Sequence, residues 1–124
     1  MKSKIPRYAA LLLTAAVACS STKAFPAGVY VPAQSSPTDR IVEFTFSEDG
    51  TFLISYYDQK TAGGTYSVSG SQITLSESEG SPCFGYPATM NWSSTGSNLT
   101  FQFWEDTCPE GPSYDWVREW SKKP

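Results

Sequence analysis

Residues 83–108 read CFGYPATMNWSSTGSNLTFQFWEDTC, and their pattern indicates the fold. Apolar and polar side chains alternate on both sides of a Ser/Thr/Gly-rich turn, which predicts a β-hairpin. The apolar positions are Met90, Trp92, Leu99, Phe101 and Phe103. The two ends of a hairpin lie side by side, so Cys83 and Cys108 are expected to form a disulfide, and closing a loop of this length stabilises the fold by roughly 3 kcal/mol.

The rest of the chain has the same two-residue alternation, and we predict an all-β fold. Its 124 residues suffice for one domain, and nine Pro and nine Gly divide it into short pieces rich in aromatic and β-branched residues. No long window has the apolar spacing of an amphipathic helix. Seven to eight short strands joined by near-neighbour turns predict a small antiparallel meander barrel, because closing the sheet removes exposed strand edges.

Alternating runs also place the individual strands. Before the hairpin, strands are predicted at residues 28–31, 40–47, 51–57, 64–68 and 72–75. Val42 is expected on the packed face of the second strand and Val68 on that of the fourth. The polar segment 58–63 is expected to be a loop. Residues 114–120 fit either a final strand that closes the sheet or a short helix, and the strand is the preferred interpretation.

The first 18 residues have the pattern of a signal peptide. Three basic residues precede a short apolar run at residues 9–17, which is too short to span a bilayer. Small residues then precede Cys19, and this resembles the lipobox of bacterial lipoproteins, whose signal peptidase cleaves before a cysteine that is lipidated. The alternative is ordinary secretion, with cleavage after Ala18 or near Ala24. The predicted parts are a signal peptide at 1–18, a tether at 19–27, a barrel domain at 28–120 and a tail at 121–124.

Cysteine count and charge fit export. Lipidation of Cys19 would leave Cys83 and Cys108 as an even pair in an oxidising compartment. The signal peptide holds three of the nine basic residues and none of the twelve acidic ones, so its removal leaves a net charge near −6. Scattered acidic residues without clusters of Lys and Arg argue against binding to nucleic acid. We expect the protein in the cell envelope, attached to the membrane through the lipid.

Enzyme chemistry has little support in this sequence. The chain contains no histidine, which excludes Ser-His-Asp and Cys-His catalysis and removes the commonest protein ligand of metals. The acidic residues fall mostly in turns or on polar strand faces, so a matched carboxylate pair in a cleft is not expected. We predict no catalytic activity, no metal site and no cofactor.

The order of several short motifs carries a resemblance to a known family. The motifs are Asp49-Gly50-Thr51-Phe52 after Phe46, Gly64-Thr65-Tyr66, Ile73-Thr74-Leu75, an aromatic strand ending at Trp92, Leu99-Thr100-Phe101, and Asp106-Thr107-Cys108. Together with the cysteine pair they are similar to small bacterial lipocalin-like (calycin-type) domains over roughly residues 26–120. The resemblance implies a short antiparallel barrel, export and, in some relatives, an apolar ligand. Residues 109–112 depart from the pattern, since similar sequences often carry an arginine soon after the second cysteine and the first basic residue after Cys108 in this chain is Arg118.

The aromatic residues support two functional hypotheses. The candidates for the barrel interior are Phe44, Phe46, Phe52, Tyr56, Tyr66, Trp92, Phe101 and Phe103. In the first hypothesis, the barrel stays open and some of these rings bind a small apolar ligand or lipid, which requires an apolar cavity above roughly 300 Å³. In the second, the rings fill the interior, and an interaction protein of the envelope uses exposed aromatics such as Tyr57, Trp104 and Trp116.

Overall fold

The computed structural model describes residues 24–109 and 114–124, apart from the side chains of Trp104 and Tyr114. The described strands are β1 (Gly28–Pro32), β2 (Ile41–Phe46), β3 (Thr51–Tyr56), β4 (Thr61–Ser69), β5 (Gln72–Glu77), β6 (Ala88–Thr95), β7 (Asn98–Asp106) and β8 (Glu119–Lys122). Each strand pairs antiparallel with the next, and β8 pairs with β1 to close a barrel. The predicted small all-β meander barrel is confirmed. The predicted signal peptide and the lipidation site Cys19 lie outside the described residues.

The C-terminal segment closes the sheet. Residues 114–120 contain a 3-10 helix at Tyr114–Trp116 and the start of β8. The sequence pattern allowed either a strand or a short helix here, and the structure has a helical turn followed by a strand. β8 pairs with β7 on one side and with β1 on the other, and it continues to Lys122, beyond the predicted domain boundary at residue 120. Within the described ranges, no helix is long and apolar enough to cross a membrane.

Strand β4 is longer than the sequence pattern predicts. It begins at Thr61, inside the polar segment that was expected to be a loop, because its backbone pairs with β3 from Ser55 opposite Thr61. Such pairing uses backbone groups and needs no apolar side chains. Near the other end of β4, Val68 is 37% exposed, and its neighbours Ser67 and Ser69 are exposed as well. The prediction that Val68 packs inward is therefore wrong.

A β-bulge changes the predicted inner face of β2. The pairing with β3 shifts its register between Ile41 and Glu43. Ile41 is therefore buried, whereas Val42 is 46% exposed, contrary to the prediction. An extra residue in one strand bends it and changes the direction of the side chains that follow or precede it.

Aromatic rings fill the centre of the barrel. Phe44 and Phe46 stack with their ring centroids 4.5 Å apart. Phe101 lies 6.1 Å from Phe44 and 5.8 Å from Phe46. Trp120 meets Phe44 edge to face at 5.5 Å, and its indole N–H donates a hydrogen bond to the carbonyl oxygen of Trp116. Burial of each such ring stabilises the fold by about 1.5–3 kcal/mol.

Phe25 covers one end of this core. Its ring lies 5.2 Å from Phe46, 5.5 Å from Tyr66 and 5.2 Å from Trp92, centroid to centroid. Phe25 belongs to the segment 19–27 that was predicted to be a tether. The packed unit therefore begins before β1.

Trp116 covers the other end of the core from the 3-10 helix. Its ring lies 5.8 Å from Phe44 and 6.3 Å from Phe52. Trp116 is 4% exposed, so the prediction that it belongs to an exposed aromatic surface is wrong. Its burial follows from the 3-10 turn, which folds the indole ring over the end of the barrel.

The two ends of the barrel differ in their connections. The short-turn end consists of the N-terminal residues 24–27 and the turns at 47–50, 70–71 and 96–97. The long-loop end consists of the connections 33–40, 57–60 and 78–87 and of residues 107–109 and 114–118 between β7 and β8. Residues 24–27 therefore lead into the barrel at the short-turn end, and the longer connections lie at the opposite end.

Replacement of Gly64 by alanine should destabilise the barrel. A Cβ atom at Gly64 would collide with the carbonyl oxygen of Ser76 and lie 2.9 Å from the Cα of Glu77. Because both are backbone atoms of the paired strand β5, the strands must separate locally, and we expect Gly64→Ala to lower the free energy of unfolding by about 1–3 kcal/mol. Urea unfolding measures this. The control Ser67→Ala, at an exposed position of the same strand, should change it by less than about 0.5 kcal/mol. Equal stability of both variants would contradict the expectation.

Candidate functional site

The predicted interior residues are brought together, with one exception. Phe44, Phe46, Phe52, Trp92 and Phe101 are buried, and Tyr56 and Tyr66 are partly buried at the ends of the core. Phe103 is 43% exposed, so its predicted place in the interior is wrong. The cause is a register shift between β6 and β7, in which Met90 lies opposite Phe103 but Thr89 lies opposite Glu105. The extra residue in β7 bends the strand and changes the direction of nearby side chains.

The interior is packed with protein. The rings at its centre are 0–1% exposed and contact one another at distances of 4.5–6.1 Å. The hydroxyl of Tyr66 donates to the carbonyl oxygen of Ser47 at 2.7 Å, and that of Tyr30 donates to Pro26 at 2.6 Å. The tyrosines at the short-turn end are thus tied to the backbone there, and together with Phe25 they cover the core.

An open groove of about 790 Å³ lies at the long-loop end. It is lined by Arg40, residues 56–58, residues 60–63, residues 77–83 and residues 115–116. We call it the long-loop groove. Its lining contains two basic and four acidic side chains besides three aromatic rings. It is a polar site outside the barrel, which differs from the apolar interior cavity of the first hypothesis.

One wall of the groove is the turn between β3 and β4, and backbone hydrogen bonds fix its shape. The N–H of Tyr56 donates to the carbonyl oxygen of Lys60 at 2.9 Å, and the N–H of Tyr57 donates to that of Arg40 at 3.0 Å. The Asp58 carboxylate accepts the N–H of Lys60 at 3.1 Å. Gln59 has a φ of 70°, which is uncommon for a residue other than glycine. The turn holds Tyr57 outward, with 69% of its surface exposed.

The opposite wall is the segment 77–83, and the predicted disulfide anchors it. The N–H of Ser78 donates to Gly63 at 2.8 Å, and the hydroxyl of Ser81 bonds the carboxylate of Glu77. That hydroxyl also accepts the N–H of Cys83 at 3.1 Å. Cys83 and Cys108 are bonded, with their Cα atoms 5.3 Å apart, so the predicted disulfide is confirmed. It ties this wall to the chain after β7.

Ion pairs connect the remaining loops of this end. The guanidinium of Arg40 lies 3.2 Å from the Asp115 carboxylate, in an exposed pair that adds little to stability. Arg118 donates to Asp39 at 2.7 Å and to the carbonyl oxygen of Gln34 at 2.7 Å. The hydrogen bond from Arg118 holds the pKa of Asp39 below its usual value, helped by the backbone N–H of Ser36. Loop 33–40 is thereby attached to the segment that leads into β8.

Tyr56 stands between the core and the groove. Burial raises the pKa of its hydroxyl, and the nearby carboxylate of Glu77 raises it further. Asp115 and Asp58 act in the same direction, while Arg40 acts against them. The field at the Tyr56 hydroxyl is therefore mainly negative. No hydrogen bond of this hydroxyl is found within the described part of the chain.

The groove was largely missed by sequence reasoning. Tyr56 was placed among the interior candidates and Tyr57 among the exposed aromatics, and both line the groove. Its charged residues are scattered along the sequence, so no local pattern indicates that they line one site. The one available signal was Tyr57, an aromatic residue that breaks the alternation of its strand. The side chain of Trp104 lies outside the described set.

Comparisons with known proteins leave the site to be interpreted from its own chemistry. No family model, no curated protein and no solved structure matches the chain. The resemblance to lipocalin-like domains stays a prediction. Among the residues that the structure describes, no group of three or more His, Cys, Asp or Glu residues could hold a metal ion.

Removal of the disulfide should loosen the groove wall before it affects the core. The double variant Cys83→Ser/Cys108→Ser is expected to lose about 3 kcal/mol of unfolding free energy, since the bond spans 25 residues. Native-state hydrogen exchange should show faster exchange at the amides of residues 81 and 83 than in wild type. The amides of Phe44 and Phe46 in β2 serve as the internal control and should remain the more protected. Unchanged exchange at residues 81–83 would contradict this role of the bond.

Stability should fall in alkaline solution because of three tyrosines. Burial raises the pKa of Tyr30, Tyr56 and Tyr66 in the folded protein. A raised folded pKa stabilises the fold below the unfolded value of about 10 and loses that contribution as pH rises through the folded value. Urea unfolding from about pH 8 to 11 should show this decline, with at most about 1.4 kcal/mol per pH unit for each tyrosine. Tyr56→Phe should make the decline shallower; an unchanged pH dependence would show that Tyr56 does not contribute.

Proposed function

We propose that the protein is an exported, lipid-anchored binding module that uses the long-loop groove instead of the barrel interior. The observation that carries the proposal is the packed stack of Phe44 and Phe46, which occupies the place where a lipocalin-like domain would hold an apolar ligand. The proposal follows the second sequence hypothesis, an interaction protein with a filled barrel. It replaces the contact surface expected at Trp116 with the groove beside it.

The position of the N-terminal segment supports the anchored orientation. Residues 24–27 lie at the short-turn end, where Phe25 packs against Phe46 and Trp92. From Cys19 to residue 24 an extended chain spans at most about 18 Å. A lipid on Cys19 would therefore keep the short-turn end near the membrane surface. Strands β2 to β7 have six to nine residues, and at the tilt of strands in a barrel they place the groove roughly 15–25 Å farther away.

The disulfide and the surface charge support an extracytoplasmic location. A bond between Cys83 and Cys108 persists in oxidising compartments and is rare in the cytosol. The net charge near −6 after removal of the signal peptide disfavours contact with anionic lipid beyond the anchor. A groove that faces away from the membrane is accessible to molecules of the surrounding compartment.

The anchor itself is tested by metabolic labelling. Cells expressing the full chain are grown with an alkyne-bearing fatty acid, and the purified protein is analysed by mass spectrometry. We expect label on Cys19, and none in the variant Cys19→Ala. A free N-terminus after Ala24 would contradict lipidation and favour ordinary secretion.

The orientation is tested by fluorescence quenching on liposomes that carry the lipidated protein. Ser97→Cys places a fluorophore in a turn of the short-turn end, and Tyr57→Cys places the same fluorophore beside the groove. A quencher attached to lipid headgroups should quench the label at residue 97 strongly and the label at residue 57 weakly. Equal quenching of the two labels, or the reverse order, would overturn the proposed orientation.

A further inference from the structure

The geometry points to a neutral oligosaccharide as the ligand of the long-loop groove. This inference rests on the proposed function, because it names the ligand class of the same surface. Three properties of the groove lead to it: an exposed aromatic ring on a fixed turn, polar groups of both hydrogen-bonding types, and an excess of negative charge that opposes anionic ligands.

Tyr57 supplies the aromatic surface. At 69% exposure it is the most exposed of the large hydrophobic side chains in the described ranges, and it lies on the rim of a groove. A sugar ring has one face of C–H groups, which packs against an aromatic ring, while its hydroxyls point outward into hydrogen bonds. A tyrosine combines an apolar ring with a polar tip and suits both contacts.

Hydrogen bonds within the protein fix the turn that carries Tyr57. Backbone bonds from Tyr57 to Arg40 and from Tyr56 to Lys60 hold it, and the Asp58 carboxylate caps it. A ring presented by a rigid turn loses little conformational entropy on binding, so a modest contact area suffices for recognition. The opposite wall is similarly fixed by the Cys83–Cys108 bond.

The polar groups of the groove match hydroxyl groups. The Tyr56 hydroxyl can donate or accept, the Glu79 carboxylate accepts, and the Lys60 ammonium donates. Lys60 forms a long, exposed ion pair with Asp58 at 3.9 Å and its side chain is 82% exposed, so little energy is lost when the ammonium turns towards a ligand. Sugar hydroxyls both donate and accept, and one saccharide can satisfy this mixed set. A lipid chain would leave these groups without partners.

The charges of the groove distinguish among saccharides. The lining has four acidic and two basic side chains, so it has an excess of two negative charges. The acidic residues are Asp58, Glu77, Glu79 and Asp115, and the basic residues are Arg40 and Lys60. This field repels sulfated, phosphorylated or uronic-acid polymers. The volume of about 790 Å³ falls in the range of roughly 300–1,000 Å³ that small-molecule sites occupy. A short neutral oligosaccharide meets both conditions.

Binding is tested with the exported chain and two neutral trisaccharides, cellotriose and the trimer of N-acetylglucosamine. Amide chemical shifts are followed by NMR as each sugar is titrated. We expect shifts at Tyr57, Lys60 and residues 78–81 with at least one sugar, and a dissociation constant that changes little between roughly 50 and 500 mM salt. A steep salt dependence would show recognition of charge and overturn the inference.

Three variants test the role of the aromatic ring. Tyr57→Ala should weaken binding by about tenfold or more, equivalent to about 1.4 kcal/mol. Tyr57→Phe keeps the ring and should retain most of the affinity. Tyr86→Ala removes another exposed ring that does not line the groove, and it should bind as wild type does. Equal effects of Tyr57→Ala and Tyr86→Ala would overturn the assignment of the site.

Failure of the inference can be told apart from failure of the proposed function. If neither trisaccharide shifts any groove amide at millimolar concentration, the ligand class is wrong, while the quenching experiment still decides whether the groove faces away from the membrane. If a sugar shifts amides of the core or of the short-turn end instead, both the ligand site and the proposed contact surface are wrong.

Discussion

The stack of Phe44 on Phe46 determines how the rest of this barrel is built. A closed sheet of eight strands has an interior just wide enough for side chains to fill, and these two rings occupy its centre at 4.5 Å. Phe46 meets Phe25 at one end, and Phe44 meets Trp116 and Trp120 at the other. The column of rings therefore runs from one end of the barrel to the other, and the protein's own side chains fill the interior.

Local patterns predicted the parts of the fold that depend on local chemistry. The hairpin between Cys83 and Cys108 follows from alternation on both sides of a turn, and its disulfide follows from the two ends lying together. Bulges were not predictable in the same way. The bulge beside Ile41 and the one near Phe103 depend on how neighbouring strands pair. The sequence of one strand alone does not show this pairing. Each bulge changes the direction of nearby side chains. A prediction that assumes uninterrupted alternation therefore assigns those side chains to the wrong face.

The groove was beyond prediction because distant segments build it. Arg40, Tyr57, Glu79 and Asp115 belong to four separate connections, and only the closed topology brings those connections to one end. Trp116 illustrates the same limit. The charged residues Asp115 and Arg118 stand near it in the sequence, yet a helical turn and the hydrogen bond from Trp120 place it over the core.

Both ends of the described chain leave the barrel on the same side. Residues 24–27 precede β1 at the short-turn end, and the N–H of Lys123 donates to the carbonyl oxygen of Val29 at 2.7 Å, so the last residues run beside the first strand. A reporter protein fused to either terminus would therefore stand clear of the groove. Joining the two described ends with a brief linker and reopening the chain in the turn at residues 47–50 would yield a circularly permuted barrel whose new ends also lie opposite the groove.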